Sequence, residues 1–501
     1  MSDGSGSPPR ESNLDNAFVG GLAWTAGAKW LTQLLTWASV FISARLLSPA
    51  DFGLAEMAGY FAGITNILAE FGIGTAVLQM HELDRRVVAQ LNTVSVVVCT
   101  LAFIGASAAS PLIAGFFHSD KLVPLIIVNS TALFVTGFQA IPVGLLQKDM
   151  NYRLLSFGEA ALVLVQAILT VLFAWLGYGY WALVGAAVSG KAVAAALAVY
   201  WRPHPFAIPR PKEIAPALHL AWHVTVGRLA WVLYSQADGI IVGRVMGDSV
   251  LGMYRLAINL ASAPAEKIAF LIMRVVGPLF AKVQNDLAAV RRYFLIVTET
   301  LALSVFPLTF GLAAVAPEFV TVVLGPQWAG AVEPVRWLAV FMGIRTMNSL
   351  ITQVLTSLRY TRFTMWMSLL NFVVMPVAFW LVSGWGAAAV AAAWVMLSPV
   401  TIGPAVEKLL RASGLRHRDY LDSLIPSIVG SAAMLAAVMA IRMWVPMNGW
   451  PVLARLIVQV AAGGAVYGLL MITVFRERVL RYVKFLQGLR KDRDVPAVVE
   501  A

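Results

Sequence analysis

Charge is what this sequence has least of. Of its 501 residues, 13% are Asp, Glu, Lys or Arg, where a soluble globular protein has roughly 25%. With 59% hydrophobic residues and a mean hydropathy of +0.77, a water-soluble fold has no interior large enough for the apolar side chains. Lipid is therefore the solvent for most of the chain. Cysteine is nearly absent. Cys99 is the single one, which excludes an intramolecular disulfide framework and a thiolate metal cluster. It lies in an apolar run and reads as a small core residue. Histidine is scarce as well, with six. His219 and His223 are four apart but lack the glutamate of a zinc protease helix and any further ligand, so no metal site and no cofactor are expected. Ten-residue segments of alternating polarity, the mark of a membrane barrel, are missing. No short apolar stretch with a cleavage site follows the polar residues 1–16, so these read as a disordered tail and not as a signal peptide.

What is there instead is a series of apolar runs of about 20 residues or more, the length a helix needs to cross the hydrocarbon core. Helices satisfy every backbone polar group internally, as the bilayer demands. The expected fold is thus an all-α polytopic membrane protein. A hydropathy window places spans near 18–46, 53–78, 90–116, 122–146, 154–176 and 180–200. After a proline-rich break they resume near 216–246, 251–281, 293–316, 331–357, 363–383 and 386–407. A second break, 409–422, precedes spans near 424–445 and 452–475. This gives about fourteen transmembrane helices. They form an N-terminal lobe of six (17–200), a linker (201–215), a second lobe of six (216–408) and two extra helices (409–475). The tail, 476–501, alternates basic and apolar residues in the manner of an amphipathic helix on an anionic membrane surface.

The net charge of +11 is distributed unevenly. Roughly 24 Lys and Arg fall on the side shared by both tails and the even-numbered loops, against roughly 5 on the other side. Both termini are therefore expected in the cytoplasm, and the basic excess points to the membrane surface and not to nucleic acid.

The chain also echoes itself. Arg45-Leu-Leu-Ser-Pro-Ala-Asp-Phe-Gly53 and Arg244-Val-Met-Gly-Asp-Ser-Val-Leu-Gly252 share arginine and glycine in register, and the same register puts Lys29 on Arg228. Met150-Asn-Tyr152-Arg153 similarly matches Leu358-Arg-Tyr360-Thr361. Six helices per half make these parallel repeats, a plan that puts a substrate site between halves. The first segment, followed by Phe71-Gly-Ile-Gly-Thr-Ala-Val-Leu-Gln79, resembles the opening of bacterial polysaccharide flippases of the Wzx type. So do Asp238-Gly-Ile-Ile-Val-Gly-Arg244, Leu251-Gly-Met-Tyr-Arg-Leu-Ala257, the segment 142–153 and Leu176-Gly-Tyr-Gly-Tyr-Trp-Ala-Leu183. The likeness runs over nearly the whole chain and is strongest to the colanic-acid-like branch, in the superfamily that includes multidrug exporters and the lipid II flippase. It implies two six-helix lobes around a central cavity and a multi-pass protein of the bacterial inner membrane. The implied substrate is an oligosaccharide on a polyprenyl diphosphate, moved to the outer leaflet for surface polysaccharide assembly alongside other assembly proteins.

Such a substrate needs cations for the diphosphate and a wet cavity for the sugar. A charge at mid-membrane depth costs roughly 2.5–3.5 kcal/mol on insertion scales, so each one is a candidate. Lys29 and Arg228 occupy equivalent places on the first helix of each lobe. Arg345, with Asn348 and Thr352 on its face, and Lys191 follow. The embedded acids Glu70, Asp238, Glu159 and Glu299 could pair with these cations or bind a coupling ion. Gln33, Tyr234 and Asn348 could contact sugar. Gly185-Ala-Ala-Val-Ser-Gly-Lys191-Ala192 nearly matches a phosphate loop, but it lacks the final Ser or Thr and lies in a hydrophobic helix. Two other readings compete. A drug exporter of the same superfamily should favour acids over cations in its cavity. A glycan polymerase or ligase should carry a sizeable outward loop, whereas the longest expected here, 317–334, is short and lacks His, Lys and Arg.

Overall fold

The structure, a computed structural model, describes residues 32–70, 84–210, 235–445 and 449–478, without the side chains of 62, 64–70, 271, 274 and 275. Every regular element among the described residues is helical. Nine of these helices are long and apolar enough to cross a membrane.

The chain divides after Gly252 into two compact units. The first contains α1 (32–46), α2 (Pro49–Glu70), α3 (Arg85–Phe117), α4 (Leu122–Lys148), α5 (Tyr152–Trp175), α6 (Trp181–Trp201) and α7 (Ala237–Met246). It ends inside α8 (Asp248–Val283). The second continues with α9 (Leu287–Val323), α10 (Val332–Ser357), α11 (Thr361–Val382), α12 (Ala387–Met396) and α13 (Gly403–Ser413). The last pair is α14 (His417–Trp444) and α15 (Val452–Thr473).

Local chemistry sets the helix ends. Asp84 caps α3 by accepting from the Arg86 amide at 2.9 Å, and Asp286 caps α9 through Ala288 and Ala289 at 2.9 and 3.1 Å. Each satisfies amides that a helix N-terminus leaves orphaned. At the other ends His118 (φ 55°), Met150 (φ 53°) and Arg359 (φ 66°) take the left-handed conformation that closes a helix C-terminus. Met150 and Arg359 thus share the left-handed turn after α4 and α10, two residues before Tyr152 and one before Tyr360.

Where residues are described, each apolar run has a helix. The offset is greatest at α9, Leu287–Val323 against 293–316, and at α14, which starts at His417 against 424. The parts of the runs at 18–31, 71–78 and 216–234 lie outside the described residues. Two expectations are corrected. The expected outward loop 317–334 is mostly helix. Pro317 lies inside α9, and only Leu324, Gly325 and a 3-10 turn, Pro326–Ala331, separate it from α10. Membrane helices tolerate interior proline because neighbouring groups satisfy the freed carbonyl. The expected span 386–407 is broken. After α12 comes a short turn, Ser398–Thr401, then α13. Pro399 and Pro404 stand at the starts of the new pieces, where a missing amide costs nothing.

Within the first unit, α3 and α4 approach so closely that a Cβ on Gly137 would lie 2.9 Å from Cys99 Cβ. Cys99 is accordingly buried. The residues after α6 do not hang free. Asn92 donates to the carbonyls of His204 and Pro205, both at 3.4 Å. Thr93 exchanges hydrogen bonds with Ala207, and the Arg210 amide donates to Gln90 at 2.7 Å. Arg202 also pairs with Asp149 at the end of α4. Proline-rich chain cannot satisfy its own backbone, and α3 does it instead. His204 sits in this strap, and partial burial lowers its pKa below the usual value.

Candidate functional site

Lys29, Arg228 and Tyr234 lie outside the described residues, as does the side chain of Glu70 on α2. In the first unit Gln33 is half-buried on α1. Asp238 is buried at the opening of α7, and its carboxylate accepts from the Gly239 amide at 2.7 Å, where the helix dipole favours a negative charge. Lys191 is half-buried near the middle of α6. Its neighbour Gly190 is pressed against α5, where a Cβ would lie 2.8 Å from the Leu162 carbonyl oxygen. That close helix approach is what the phosphate-loop-like string encodes. Glu159 is exposed on α5.

The same unit contains a contact with a reciprocal form. A Cβ on Gly53 of α2 would overlap the carbonyl oxygen of Asp248 in α8, and a Cβ on Gly252 of α8 would overlap that of Pro49 in α2. Pro49 and Asp248, like Gly53 and Gly252, are matched positions of the two Arg-to-Gly segments. Gly243 of α7 sits under Met57 and Phe117, and Gly239 under the Tyr60 hydroxyl. Small residues let membrane helices approach backbone to backbone.

In the second unit the embedded charges separate into two kinds. Glu299 of α9 faces Arg478 at 3.4 Å, and Arg478 also donates to the Asp422 carbonyl at 2.6 Å. Glu318, further along α9, holds Arg442 of α14 at 2.6 Å and accepts from Gln459 of α15 at 3.1 Å. Between them Tyr467 donates to the Leu303 carbonyl at 2.9 Å. These contacts fasten α14 and α15 to α9 along its length. Glu318, Arg442, Gln459 and Arg478 were not among the sequence candidates. Their side-chain partners are over a hundred residues away in the chain, and no local spacing marks them.

Arg345 is of the other kind. It sits thirteen residues into α10, roughly 20 Å along its axis. It is exposed, and its guanidinium donates to Met342 Sδ at 3.5 Å. Among the described residues no carboxylate lies within ion-pair distance of it. Ser349, Thr352, Gln353 and Thr356 continue the exposed face, with Asn348 half-buried beside them. On the opposite face Leu350 and Val354 are buried, and Gly343 meets Thr309 of α9. Leu338 and Met342, on the side of Arg345 but nearer the start of α10, are buried too, so the exposed polar face begins at Arg345. A helix this apolar cannot turn a cation and four hydroxyl or amide groups toward hydrocarbon at mid-depth without several kcal/mol of cost, roughly 2.5–3.5 kcal/mol for the arginine alone. The exposed face is satisfied in part by its own helix, Ser349 and Thr356 donating to the carbonyls of Arg345 and Thr352 at 3.1 and 2.8 Å. It offers one guanidinium for an anion and a ladder of neutral donors and acceptors for hydroxyls.

The fold and this face define a multi-pass helical membrane protein with polar groups set into its spans. The chain belongs to the polysaccharide biosynthesis protein family, whose model matches residues 42–333. It is 27% identical to the lipopolysaccharide biosynthesis protein WzxC of Escherichia coli K12, over 67% of this chain and 69% of that one. It is 24% identical to the succinoglycan biosynthesis transport protein ExoT of Rhizobium meliloti, over 95% and 97%. Among solved structures it resembles the lipid II flippase MurJ in an inward closed conformation, with a TM-score of 0.70 at 13% identity, covering 91% of this chain and 99% of that one.

Proposed function

We infer that this protein is a transporter and not a catalyst. It flips a polyprenyl-diphosphate-linked oligosaccharide from the cytoplasmic to the outer leaflet of a bacterial inner membrane, for lipopolysaccharide, capsule or exopolysaccharide assembly. The observation that carries this is family membership across more than half of the chain, joined to an all-helical fold like that of a lipid-linked glycan flippase. The unpaired Arg345 on a hydroxyl-rich face supports an anionic, sugar-bearing substrate over an organic cation.

The full plan has fourteen spans, both termini in the cytoplasm, and two six-helix halves as parallel repeats. The reciprocal Gly53–Asp248 and Gly252–Pro49 contacts support the repeat, because matched residues meet across a local two-fold. They also suit alternating access. At Gly53 and Gly252 the contact is glycine against backbone, whereas Met57, Phe117 and Tyr60 pack over α7 beside it. Rocking of one half against the other would turn on the glycine contacts. In this plan Lys29, Arg228, Arg345 and Lys191 receive the diphosphate, and Gln33, Tyr234 and Asn348 the sugars. Asp238, Glu159 and Glu70 remain for pairing or ion coupling, whereas Glu299 is engaged by Arg478.

Reconstitution tests the reading. Purified protein in liposomes should move a fluorescent polyprenyl-diphosphate oligosaccharide between leaflets and leave organic cations where they are. Transport of an organic cation such as ethidium, with none of the glycolipid, would replace it with the drug-exporter reading.

A further inference from the structure

At one end of the second unit α8, α9, α10, α11, α13 and α14 close over an apolar core built on Phe280, Phe294, Leu355, Leu409 and Tyr420. On its rim one cation covers a tyrosine ring, and two more flank that tyrosine in the chain. Lys408 Nζ of α13 lies 4.6 Å from the centroid of Tyr360. Arg359 precedes that tyrosine and Arg362 follows two residues later. None of the three has a carboxylate within ion-pair distance among the described residues. The nearest acid in sequence, Glu407, is occupied by Arg411 at 2.5 Å and by His417 at 2.6 Å. Arg359 also takes the left-handed backbone, φ 66°, at a helix end where glycine is the unstrained choice. Backbone preference therefore does not account for the arginine.

A second observation lies directly along α11. Arg362, Trp366, Leu369 and Val373 follow at helical spacing on one face. The three apolar members are 55%, 48% and 57% exposed, and Trp366 stands one turn below the cations, where interfacial tryptophan belongs. We infer that Arg359, Arg362 and Lys408 form a headgroup site for a resident anionic phospholipid of the phosphatidylglycerol type, whose acyl chain lies on the Trp366–Val373 stripe. Two guanidinium groups and an ammonium match a phosphodiester by charge and by forked hydrogen bonding. The apolar stripe has no counterpart in a site for free phosphate. The inference rests on the membrane fold and not on the identity of the transported glycan.

Photo-crosslinking tests it. The full-length protein is placed in nanodiscs of phosphatidylethanolamine with a minor fraction of phosphatidylglycerol, either lipid carrying a photoactivatable acyl chain. Adducts on the peptide containing 363–373 are then quantified. The expected result is phosphatidylglycerol enrichment over its bulk fraction, falling about five-fold for each cation removed in Arg359→Gly, Arg362→Gln and Lys408→Gln. Arg359→Gly keeps the left-handed turn and should fold at least as well as wild type, so its loss of enrichment cannot be laid to unfolding. Adducts at the bulk ratio in wild type would overturn the inference. So would displacement of the lipid by millimolar inorganic phosphate, or preferential displacement by trace polyprenyl diphosphate, which would make this a substrate landing site.

Discussion

The two units join their helices by different means. In the first, α2, α7 and α8 meet through glycine, with Gly53 and Gly252 each lying on a backbone carbonyl. In the second, α14 and α15 are held to α9 by Glu318 and Glu299 with their arginines. The same second unit leaves Arg345 exposed on the next helix, with no ion-pair partner among the described residues. Both means answer one problem. Lipid tails are as apolar as leucine, so helices associate through close backbone packing or through polar contacts. A paired charge in such a place is architecture. A charge kept without a partner against the same cost is a candidate for function.

That distinction can be broken at several points. The largest effect is expected at the glycine joint. Gly252→Leu puts a side chain into the Pro49 carbonyl and should cost about 3 kcal/mol or more, beyond the usual range for overpacking because backbone is what must move. Loss of a monodisperse peak in size-exclusion chromatography, or a fall in Tm, reads this out. Next comes Glu318→Ala, which strands Arg442. Removing one member of a buried pair costs roughly 3–5 kcal/mol. Arg442 is 37% exposed, against 13% for Glu318, so about 2 kcal/mol is the expectation here. The charge-swapped Glu318→Arg with Arg442→Glu should recover part of the Tm. If Glu318→Ala is neutral while Arg345→Ala unfolds the protein, the roles given to the two kinds of charge are reversed.

The smallest effect is electrostatic and lies at the rim of the second unit. The hydrogen bonds from His417 and then from Arg411 hold the Glu407 carboxyl below its ordinary value of 4.5. A lowered folded-state value means this contact stabilises the fold above pH 4.5, and the contribution fades as pH falls through the lowered value. Between neutral pH and about 3, the Tm of wild type should therefore fall slightly more than that of Glu407→Gln. Parallel Tm profiles would show that the contact has no influence on stability.

Much of the fold was legible because hydropathy over 20 residues is a local property. The spans drawn at 122–146, 154–176 and 452–475 meet helices at Leu122–Lys148, Tyr152–Trp175 and Val452–Thr473. The errors came where hydropathy and backbone part company. The run through 386–407 stays apolar across Pro399 and Pro404, and Pro317 reads as a loop edge although α9 passes through it. The site was legible one helix at a time. Periodicity put Arg345 and Asn348 on one face, and the structure leaves that face open. It could not reveal that Glu299 meets Arg478, or that Glu318 meets Arg442, because an ion pair between distant helices leaves no trace in either segment.

Transport by Arg345 variants tests most directly the proposal that this side chain serves an anionic substrate. Leaflet transfer of a polyprenyl-diphosphate oligosaccharide should be measured in liposomes for wild type, Arg345→Lys and Arg345→Ala, with Tm recorded for each. Arg345→Ala is expected to lose transfer at least ten-fold, about 1.4 kcal/mol, and Arg345→Lys to keep part of it, with three similar Tm values. Unchanged transfer in Arg345→Ala, or a loss matched by collapse of Tm, would contradict it.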